Sequence, residues 1–177
     1  CRTATAAKEA MRRAREILAG LGLELHPDKT RLVDLRAGKE GFVFLGCYFR
    51  KRRSIQRMPH QHFMQRWPSP HAMKRIRDRI HDLTDVRRTK ARDVMEIIAA
   101  LNPVLRGWGN YFKTGNAARK FNQLDGYVCR RLKDFLVRRA GRNLRPGQAD
   151  QWTRAFFWNH GLHRLRGTVR YPETARC

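Results

Sequence analysis

The longest regular pattern in this chain is an apolar stripe that follows Gly115 and ends before Gly141. Its members recur every three or four residues: Ala117, Phe121, Leu124, Val128, Leu132 and Phe135. This spacing places them on one face of an α-helix over about five turns. A helix with one apolar face must bury that face against other elements, so the pattern predicts a helical core in this part of the chain.

Shorter stripes predict further helices. One runs from Thr5 to Leu21, and another begins where Ser69 can cap a helix whose first residue is Pro70. We expect a helix from about Thr89 to Leu101 and a separate one after it, because Asn102-Pro103 repeats the cap-then-proline signal. A short helix should follow at Trp152 to Trp158, after a loop.

The region before the helices has the pattern of strands. We predict strands at Leu23–Leu25, Lys29–Leu35 and Gly41–Phe49, the last rich in aromatic residues. The expected fold class is α+β and mostly α, with a small antiparallel sheet followed by a helical domain. The expected divisions are 1–50 for the sheet region, 51–69 for a linker, 70–141 for the helical domain and 142–177 for an extension of it.

Positive charge dominates the composition, with 39 Lys and Arg against 15 Asp and Glu, a formal net charge of +24. Between Glu40 and Asp78 there are nine basic residues and no acidic one, which we interpret as a basic linker centred on Arg50, Lys51, Arg52 and Arg53. With 41% hydrophobic residues the chain should fold. Because the positive charges of a folded protein this basic repel one another, we expect a polyanionic partner that neutralises them. Nucleic acid is the leading candidate and an acidic membrane surface the second. The sequence has no apolar run long enough for a transmembrane helix and no signal-peptide pattern, so we expect the cytoplasm.

Basic residues also occupy the predicted helix after Gly115. Arg119, Arg130 and Lys133 fall opposite the apolar stripe, with Lys120, Arg131 and Arg138 on the flank. A solvated face is the ordinary explanation, but only Asp125 and Asp134 are acidic on this helix. We therefore favour contact with phosphates.

Two glycines, Gly107 and Gly109, lie inside a predicted helix, where each costs about 1 kcal/mol relative to Ala. Close approach of a neighbouring helix and close approach of a nucleic-acid backbone explain them equally well. In the second case the neighbouring contacts would be Arg106, Tyr111 and Lys113.

The sequence contains no recognisable catalytic constellation or metal site. Asp28 and Asp34 are separated by a turn and a predicted strand, so we expect structural roles for them. The histidines at positions 60, 62 and 71 have no cysteine or carboxylate among them, and we expect solvated polar residues there. The four cysteines, at positions 1, 47, 129 and 177, are expected to be free thiols.

Two segments carry a resemblance to a known family. Residues 22–30 (GLELHPDKT) followed by Phe44-Leu45-Gly46 resemble the end of a reverse transcriptase palm. Residues 101–112 (LNPVLRGWGNYF), with Phe121, Leu124, Asp125 and Tyr127, look like the maturase-specific, or X, domain of bacterial group II intron proteins. The palm residues alone also fit a retron, a CRISPR-associated reverse transcriptase or a spliceosomal-type relative, whereas the second segment favours the intron class.

The resemblance implies a C-terminal fragment of an RNA-directed DNA polymerase that also binds its intron RNA and assists splicing. It would place Lys29 as a general acid near the incoming nucleotide, and Phe44, Leu45, Gly46 and Cys47 in the primer-grip hairpin. The helices from Ser69 to Gly141 would be the thumb, holding intron RNA and the template–primer duplex, with target DNA as a further candidate partner. No membrane is expected among the partners.

One departure from the family is large. The Tyr-Ala-Asp-Asp metal site is absent from the sequence and is expected just upstream of Cys1, so Mg²⁺ is expected only in the complete bacterial parent enzyme. This segment alone should therefore be inactive as a polymerase. The alternative is a stand-alone RNA-binding splicing factor, or remnant, with no polymerase activity.

Overall fold

The computed structural model describes residues 1, 3–53, 61–88, 93–141 and 144–170. These residues form five α-helices, which are α1 (Ala4–Gly20), α2 (Pro70–Leu83), α3 (Val94–Phe112), α4 (Ala118–Ala140) and α5 (Arg154–Asn159). Three β-strands, β1 (Gly41–Phe44), β2 (Cys47–Arg53) and β3 (His62–Pro68), form one antiparallel sheet in the order β1-β2-β3. The expected α+β, mostly α fold class is confirmed.

The core lies among α2, α3, α4 and the C-terminal segment. Phe121, Leu124 and Leu132 of the predicted stripe on α4 have no exposed surface, and Phe135 has 1%. They pack with residues from the other elements that are at most 1% exposed: Ile80, Ile97, Leu101, Leu105, Phe157 and Leu165. The apolar stripe thus predicted both the helix and the face that it buries.

Local capping signals set two of the helix ends as expected. Ser69 precedes α2, and its hydroxyl accepts a hydrogen bond from the backbone N–H of Ala72 at 3.1 Å, with Pro70 at the first helical position. After α4, Gly141 adopts a φ of 55°, in the left-handed region where glycine is favoured.

The predicted strand Gly41–Phe49 is instead a hairpin, because the chain reverses at Leu45-Gly46. Both turn residues have positive φ, 46° and 73°, as a two-residue turn between twisted antiparallel strands requires. Gly46 adopts this φ without strain, and Leu45 is held there by a hydrogen bond from the hydroxyl of Tyr111 to its carbonyl at 2.8 Å. The hairpin is thereby tied to the end of α3.

The predicted strands Leu23–Leu25 and Lys29–Leu35 are wrong. Both segments lack strand structure, because a strand needs a partner for its backbone groups and the described part of the chain pairs only β1, β2 and β3. Residues 26–30 form a turn, in which the backbone N–H of Thr30 donates to the carbonyl of His26 at 3.0 Å.

The predicted linker 51–69 also contains regular structure. The strand β2 continues to Arg53, and β3 pairs with it along its full length, from Cys47 opposite Pro68 to Arg53 opposite His62. The expected boundary after residue 50 therefore falls inside a strand. Pro68 is compatible with the sheet because it ends an edge strand. The middle of the predicted linker, residues 54–60, lies outside the described residues.

The two helices predicted on either side of Asn102 are one helix, α3. Pro103 lies inside it, where it cannot donate a hydrogen bond to the carbonyl of residue 99. Asn102 is not a cap. Its side-chain N–H donates to the carbonyl of Gly161 at 2.9 Å, and its side-chain oxygen accepts from the backbone N–H of His163 at 2.8 Å. The predicted start at residues 89–92 lies outside the described residues.

The first helix, α1, confirms the predicted helix near the N-terminus, and Thr3 caps it by accepting from the backbone N–H of Ala6. None of its residues is buried, and Ile17 is 67% exposed. Its surface carries ion pairs from Glu9 to Arg12 and Arg13. Among the described residues, no helix combines the length and the apolar character needed to cross a lipid bilayer.

Candidate nucleic-acid interface

The side of α4 opposite the core carries a row of cations. Arg119 and Arg130 are exposed, and the side chain of Lys133 is 39% exposed. With a rise of about 1.5 Å per residue, the row from Arg119 to Lys133 spans about 21 Å. In the described part of the chain, neither arginine makes an ion pair or a hydrogen bond. Their guanidinium donors are therefore available to a ligand.

Gly126, in the middle of this row, leaves space for the side chain of Arg154 from the C-terminal segment. A Cβ at Gly126 would lie 2.9 Å from a terminal nitrogen of Arg154, the first residue of α5. The absence of a side chain at Gly126 thus lets the Arg154 guanidinium lie against α4, between Arg119 and Arg130 along the helix. Together, Arg119, Arg130, Lys133 and Arg154 form what we call the cationic row.

A cleft of about 230 Å³ opens beside the cationic row. It is lined by Gly126, Cys129, Arg130, Lys133, Trp152 and Arg154. Burial, followed by the nearby Asp125 carboxylate, raises the pKa of the Cys129 thiol to about 11, so this wall of the cleft is neutral at pH 7. Cations beside a half-buried indole suit a ligand that offers both phosphates and flat bases.

One acidic side chain competes for the cationic row. The carboxylate of Asp150 lies 3.7 Å from the ammonium of Lys133, and its side chain is 85% exposed. An ion pair this exposed contributes about 0–1 kcal/mol, so a phosphate can replace it at little cost. Lys133 is therefore partly engaged in the free protein.

Two side-chain clamps fix the C-terminal segment against α3 and α4. Asp125 is 5% exposed, and its two carboxylate oxygens accept from the backbone N–H groups of Leu165 and Arg166 at 3.0 and 2.9 Å. Burial raises the pKa of this carboxyl above its ordinary value. The second clamp is the pair of hydrogen bonds in which the Asn102 side chain donates to the carbonyl of Gly161 and accepts from the backbone N–H of His163. We call these two sets of contacts the C-terminal clamps.

The three basic residues predicted on the flank of α4, Lys120, Arg131 and Arg138, have different surroundings. Arg131 donates from its Nε to the hydroxyl of Thr84 at 3.0 Å, and so joins α4 to the end of α2. Arg138 is exposed, and Lys120 is half-buried. Within the residues described, neither has a carboxylate partner. Arg131 thus has a structural contact that the other two lack.

The basic residues at positions 50–53 lie in β2, and strand alternation sends them to both faces of the sheet. Arg50 and Arg52 share a face with Tyr48, whereas Lys51 and Arg53 share the other with Phe49. Arg50 donates to the carbonyl of Gly38 at 2.9 Å. The guanidinium of Arg52 lies over the Trp67 ring, 4.9 Å from its centroid. The four cations therefore form no single patch.

The two glycines of α3 have different surroundings. A Cβ at Gly109 would lie 2.7 Å from a methyl carbon of Leu165, so close packing of the C-terminal segment explains this residue. The close neighbour is thus Leu165, which precedes a single turn of 3-10 helix (Arg166–Thr168), rather than a residue of an α-helix. A Cβ at Gly107 would meet no atom within 4 Å. For Gly107, approach of a nucleic-acid backbone remains a prediction.

The candidate contacts around these glycines are only partly available. Arg106 is exposed. Tyr111 is 57% exposed, but its hydroxyl is occupied by the carbonyl of Leu45. Lys113 donates to the side-chain oxygen of Asn110 at 3.0 Å.

The residues that the reverse transcriptase resemblance singled out lie at the surface. Lys29 is exposed in its turn. At the hairpin tip Phe44 and Leu45 are 58% and 68% exposed, whereas Cys47 is 9% exposed and joins the core. A general-acid role for Lys29 and a primer-grip role for Phe44, Leu45, Gly46 and Cys47 stay predictions.

Asp34 makes a local contact with Arg36, and structural roles for Asp34 and Asp28 stay predictions. The Asp34 carboxylate accepts from the backbone and guanidinium N–H groups of Arg36, which lowers its pKa to about 2. Among the described residues, no three His, Cys, Asp or Glu side chains are grouped so as to hold a metal ion. His60, one of the histidines considered above, lies outside the described residues.

Sequence reasoning missed Arg154 and the role of Trp152 in the cleft. Trp152 and its neighbours predicted only a short helix, and Arg154 belonged to no pattern. Gly126 was the available signal, because it lies seven residues from Arg119 and so on the same face of α4. A glycine on a cationic helix face suggests close approach by another group.

Comparison with known proteins relates one region of the chain to a family. A search of curated proteins found no match to this chain. Residues 73–156 match the family model of the group II intron, maturase-specific domain. The match covers just under half of the chain, from α2 to α5, and includes the cationic row and its cleft. It implies a maturase function in group II intron splicing, with RNA as the partner. Residues 73–156 are thus a region related to the maturase-specific domain of group II introns.

Proposed function

We propose that this chain binds intron RNA through the cationic row and its cleft, as part of a group II intron reverse transcriptase and maturase. The observation that carries the proposal is the assembly of Arg130, Lys133 and Arg154 beside Trp152 within the maturase-related region. The cations suit backbone phosphates, and the indole offers a surface on which an unpaired base can stack. The cytoplasm of a bacterium is the proposed location.

The salt dependence of RNA binding tests this proposal. Replacing Arg119, Arg130 and Arg154 with Gln removes three cations from exposed positions. Each phosphate contact contributes about 0.7–0.9 to the slope of log affinity against log salt, so the slope should flatten by about two to three units. Filter binding of a structured group II intron RNA over a range of KCl concentrations measures it.

A matched triple variant provides the control. Lys74, Arg75 and Arg79 are exposed on α2, and their replacement with Gln removes the same charge from the same region. We expect this control to change the slope by less than one unit. Equal slopes for the two triple variants, both folded by circular dichroism, would show that RNA responds to net charge and not to the cationic row.

Two single substitutions probe the row more finely. Gly126→Ala should displace the end of Arg154 and weaken RNA binding several-fold, because the added Cβ occupies the position of its guanidinium. The substitution should leave the protein folded, since the displaced atom ends a flexible side chain and Ala favours helix. Asp150→Asn should strengthen binding about two- to fivefold at low salt, because it frees Lys133. Unchanged affinity in both variants would place RNA elsewhere.

The finer part of the proposal is a role in reverse transcription. In the complete enzyme, the hairpin Phe44–Cys47 would position the primer, the helices would hold the template–primer duplex, and Lys29 would protonate the pyrophosphate leaving group. Exposed apolar side chains at the hairpin tip, and its attachment to α3 through Tyr111, support the positioning role. Target DNA is a further proposed partner, and Mg²⁺ is proposed only for the complete enzyme.

A stand-alone splicing factor is the second candidate, favoured by the match to the maturase-specific domain alone. A splicing assay separates the two candidates, and a primer-extension assay tests what they share. Under either candidate function we expect the chain by itself not to extend a primer, since its sequence lacks the Tyr-Ala-Asp-Asp carboxylates. Stimulation of intron splicing by this chain alone would favour the splicing factor, and primer extension by it would contradict both.

A further inference from the structure

A second cavity, distinct from the cleft on α4, lies between the sheet and the turn that joins α3 to α4. Its volume is about 350 Å³, within the range of small-molecule sites. Phe49 of β2 and Met64 of β3 form its apolar wall. The polar lining consists of Arg66 from β3, Thr114 and Asn116 from the turn, and Arg170.

The sheet holds the apolar wall in place. Phe49 lies opposite Arg66 across β2 and β3, so both side chains extend from the same face, and Met64 follows at the next position of that face. One side of the Phe49 ring is stacked on Phe42 from β1, with centroids 5.2 Å apart and planes 10° apart. Met64 remains 46% exposed at the cavity.

The polar side of the cavity is cationic and fixed to the backbone. Arg66 donates to the hydroxyl of Thr114 at 2.6 Å, and its carbonyl accepts from the backbone N–H of Asn116 at 2.7 Å. The backbone N–H of Arg170 donates to the carbonyl of Lys113 at 2.8 Å. No carboxylate is among the described lining residues, and within the part of the chain that the structure describes, most of the donors of the two guanidinium groups are unoccupied.

We propose that this cavity binds a single unpaired nucleotide of the RNA. The base would lie against Met64 and the edge of Phe49, its phosphate would contact Arg66 and Arg170, and Asn116 would be available to the base edge. An apolar wall facing two arginines fits an anionic ligand with a flat ring better than it fits an apolar peptide. This inference rests on the proposed function, since it assumes that RNA is the partner.

A pair of RNA hairpins tests it. One hairpin carries a single-nucleotide bulge of 2-aminopurine, and the other has the same stem without the bulge. We expect the 177-residue chain to bind the bulged RNA about tenfold more tightly, within the range that stacking of one base contributes. The fluorescence of the bulged base should also change on binding.

Matched substitutions at two methionines locate the effect. Met64→Glu introduces a carboxylate into the cavity, whereas Met95→Glu makes the same change on α3 at a side chain of similar exposure, 42% against 46%. We expect Met64→Glu to remove the preference for the bulged RNA and Met95→Glu to keep it. If Met64→Glu does not fold, Arg66→Gln, at an exposed side chain, should reduce the preference instead.

The two RNAs separate this inference from the proposed function. Equal affinity of the wild-type chain for both hairpins, or equal loss of the preference in both methionine variants, would overturn the nucleotide site and leave RNA binding intact. Failure of the wild-type chain to bind either hairpin would also overturn the nucleotide site, whereas the salt titration with group II intron RNA tests the proposed function.

Discussion

Replacing Asp125 with Ala should destabilise the protein more than replacing Asp134, the other acidic residue of α4. The substitution leaves the backbone N–H groups of Leu165 and Arg166 without the oxygens that accept from them at 3.0 and 2.9 Å. A buried unsatisfied donor costs about 1–3 kcal/mol, and the N–H of Arg166 is only partly buried. The expected loss in the free energy of unfolding is therefore about 2–4 kcal/mol.

Urea unfolding followed by tryptophan fluorescence measures this loss, and the corresponding decrease in Tm is roughly 4–16 °C for a chain of this size. Asp125→Asn keeps one oxygen acceptor, so it should lose about half as much. Asp134→Ala is the control, because Asp134 is half-buried on the same helix and makes no ion pair within the described residues. We expect it to change stability by about 0.5 kcal/mol or less. If Asp125→Ala lost no more than this control, the clamp would contribute nothing to stability.

Two further predictions concern α3 and the C-terminal segment that packs against it. Gly107→Ala should stabilise the protein by up to about 1 kcal/mol, whereas Gly109→Ala should destabilise it by about 1–3 kcal/mol because the added Cβ displaces Leu165. Urea unfolding measures both changes in the free energy of unfolding. Changes of the same sign would contradict the packing described for α3. Burial, followed by the nearby Arg106, lowers the pKa of His163 in the folded protein. The unfolded chain therefore binds more protons at this residue, and the free energy of unfolding should fall as the pH decreases below about 6.5. His163→Gln should reduce this dependence in unfolding measured from pH 7 to 5, and an unaltered dependence would assign it to other groups.

The sequence predicted the helices best where local signals and burial agree. The stripe on α4, the cap at Ser69 and the glycine at position 141 each act within a few residues of chain, and all three behave as expected. At Asn102-Pro103 the same kind of local signal was misleading. There, tertiary hydrogen bonds to Gly161 and His163, about 60 residues away, occupy the side chain that resembled a cap.

Strands and the candidate site were harder to predict, because both depend on partners distant in sequence. The apolar pattern of residues 23–25 was not sufficient for a strand without a neighbour. In the candidate site, the sequence identified Arg119, Arg130 and Lys133 from their positions on one helix. It could not identify Arg154, since its position depends on how α5 returns to Gly126.

The C-terminal clamps have a consequence for the order in which the molecule assembles and opens. They join groups that are 40 to 61 residues apart in sequence, whereas a short turn joins α3 to α4, so we expect the clamps to close after α3 and α4 have paired. The chain between α4 and the clamps includes Trp152 and Arg154. A partial opening that breaks the clamps would therefore release one wall of the cleft while the α3–α4 core remains folded. RNA bound across that cleft would hold this late-forming segment closed, and amide hydrogen exchange at Leu165 and Arg166 should slow in the complex.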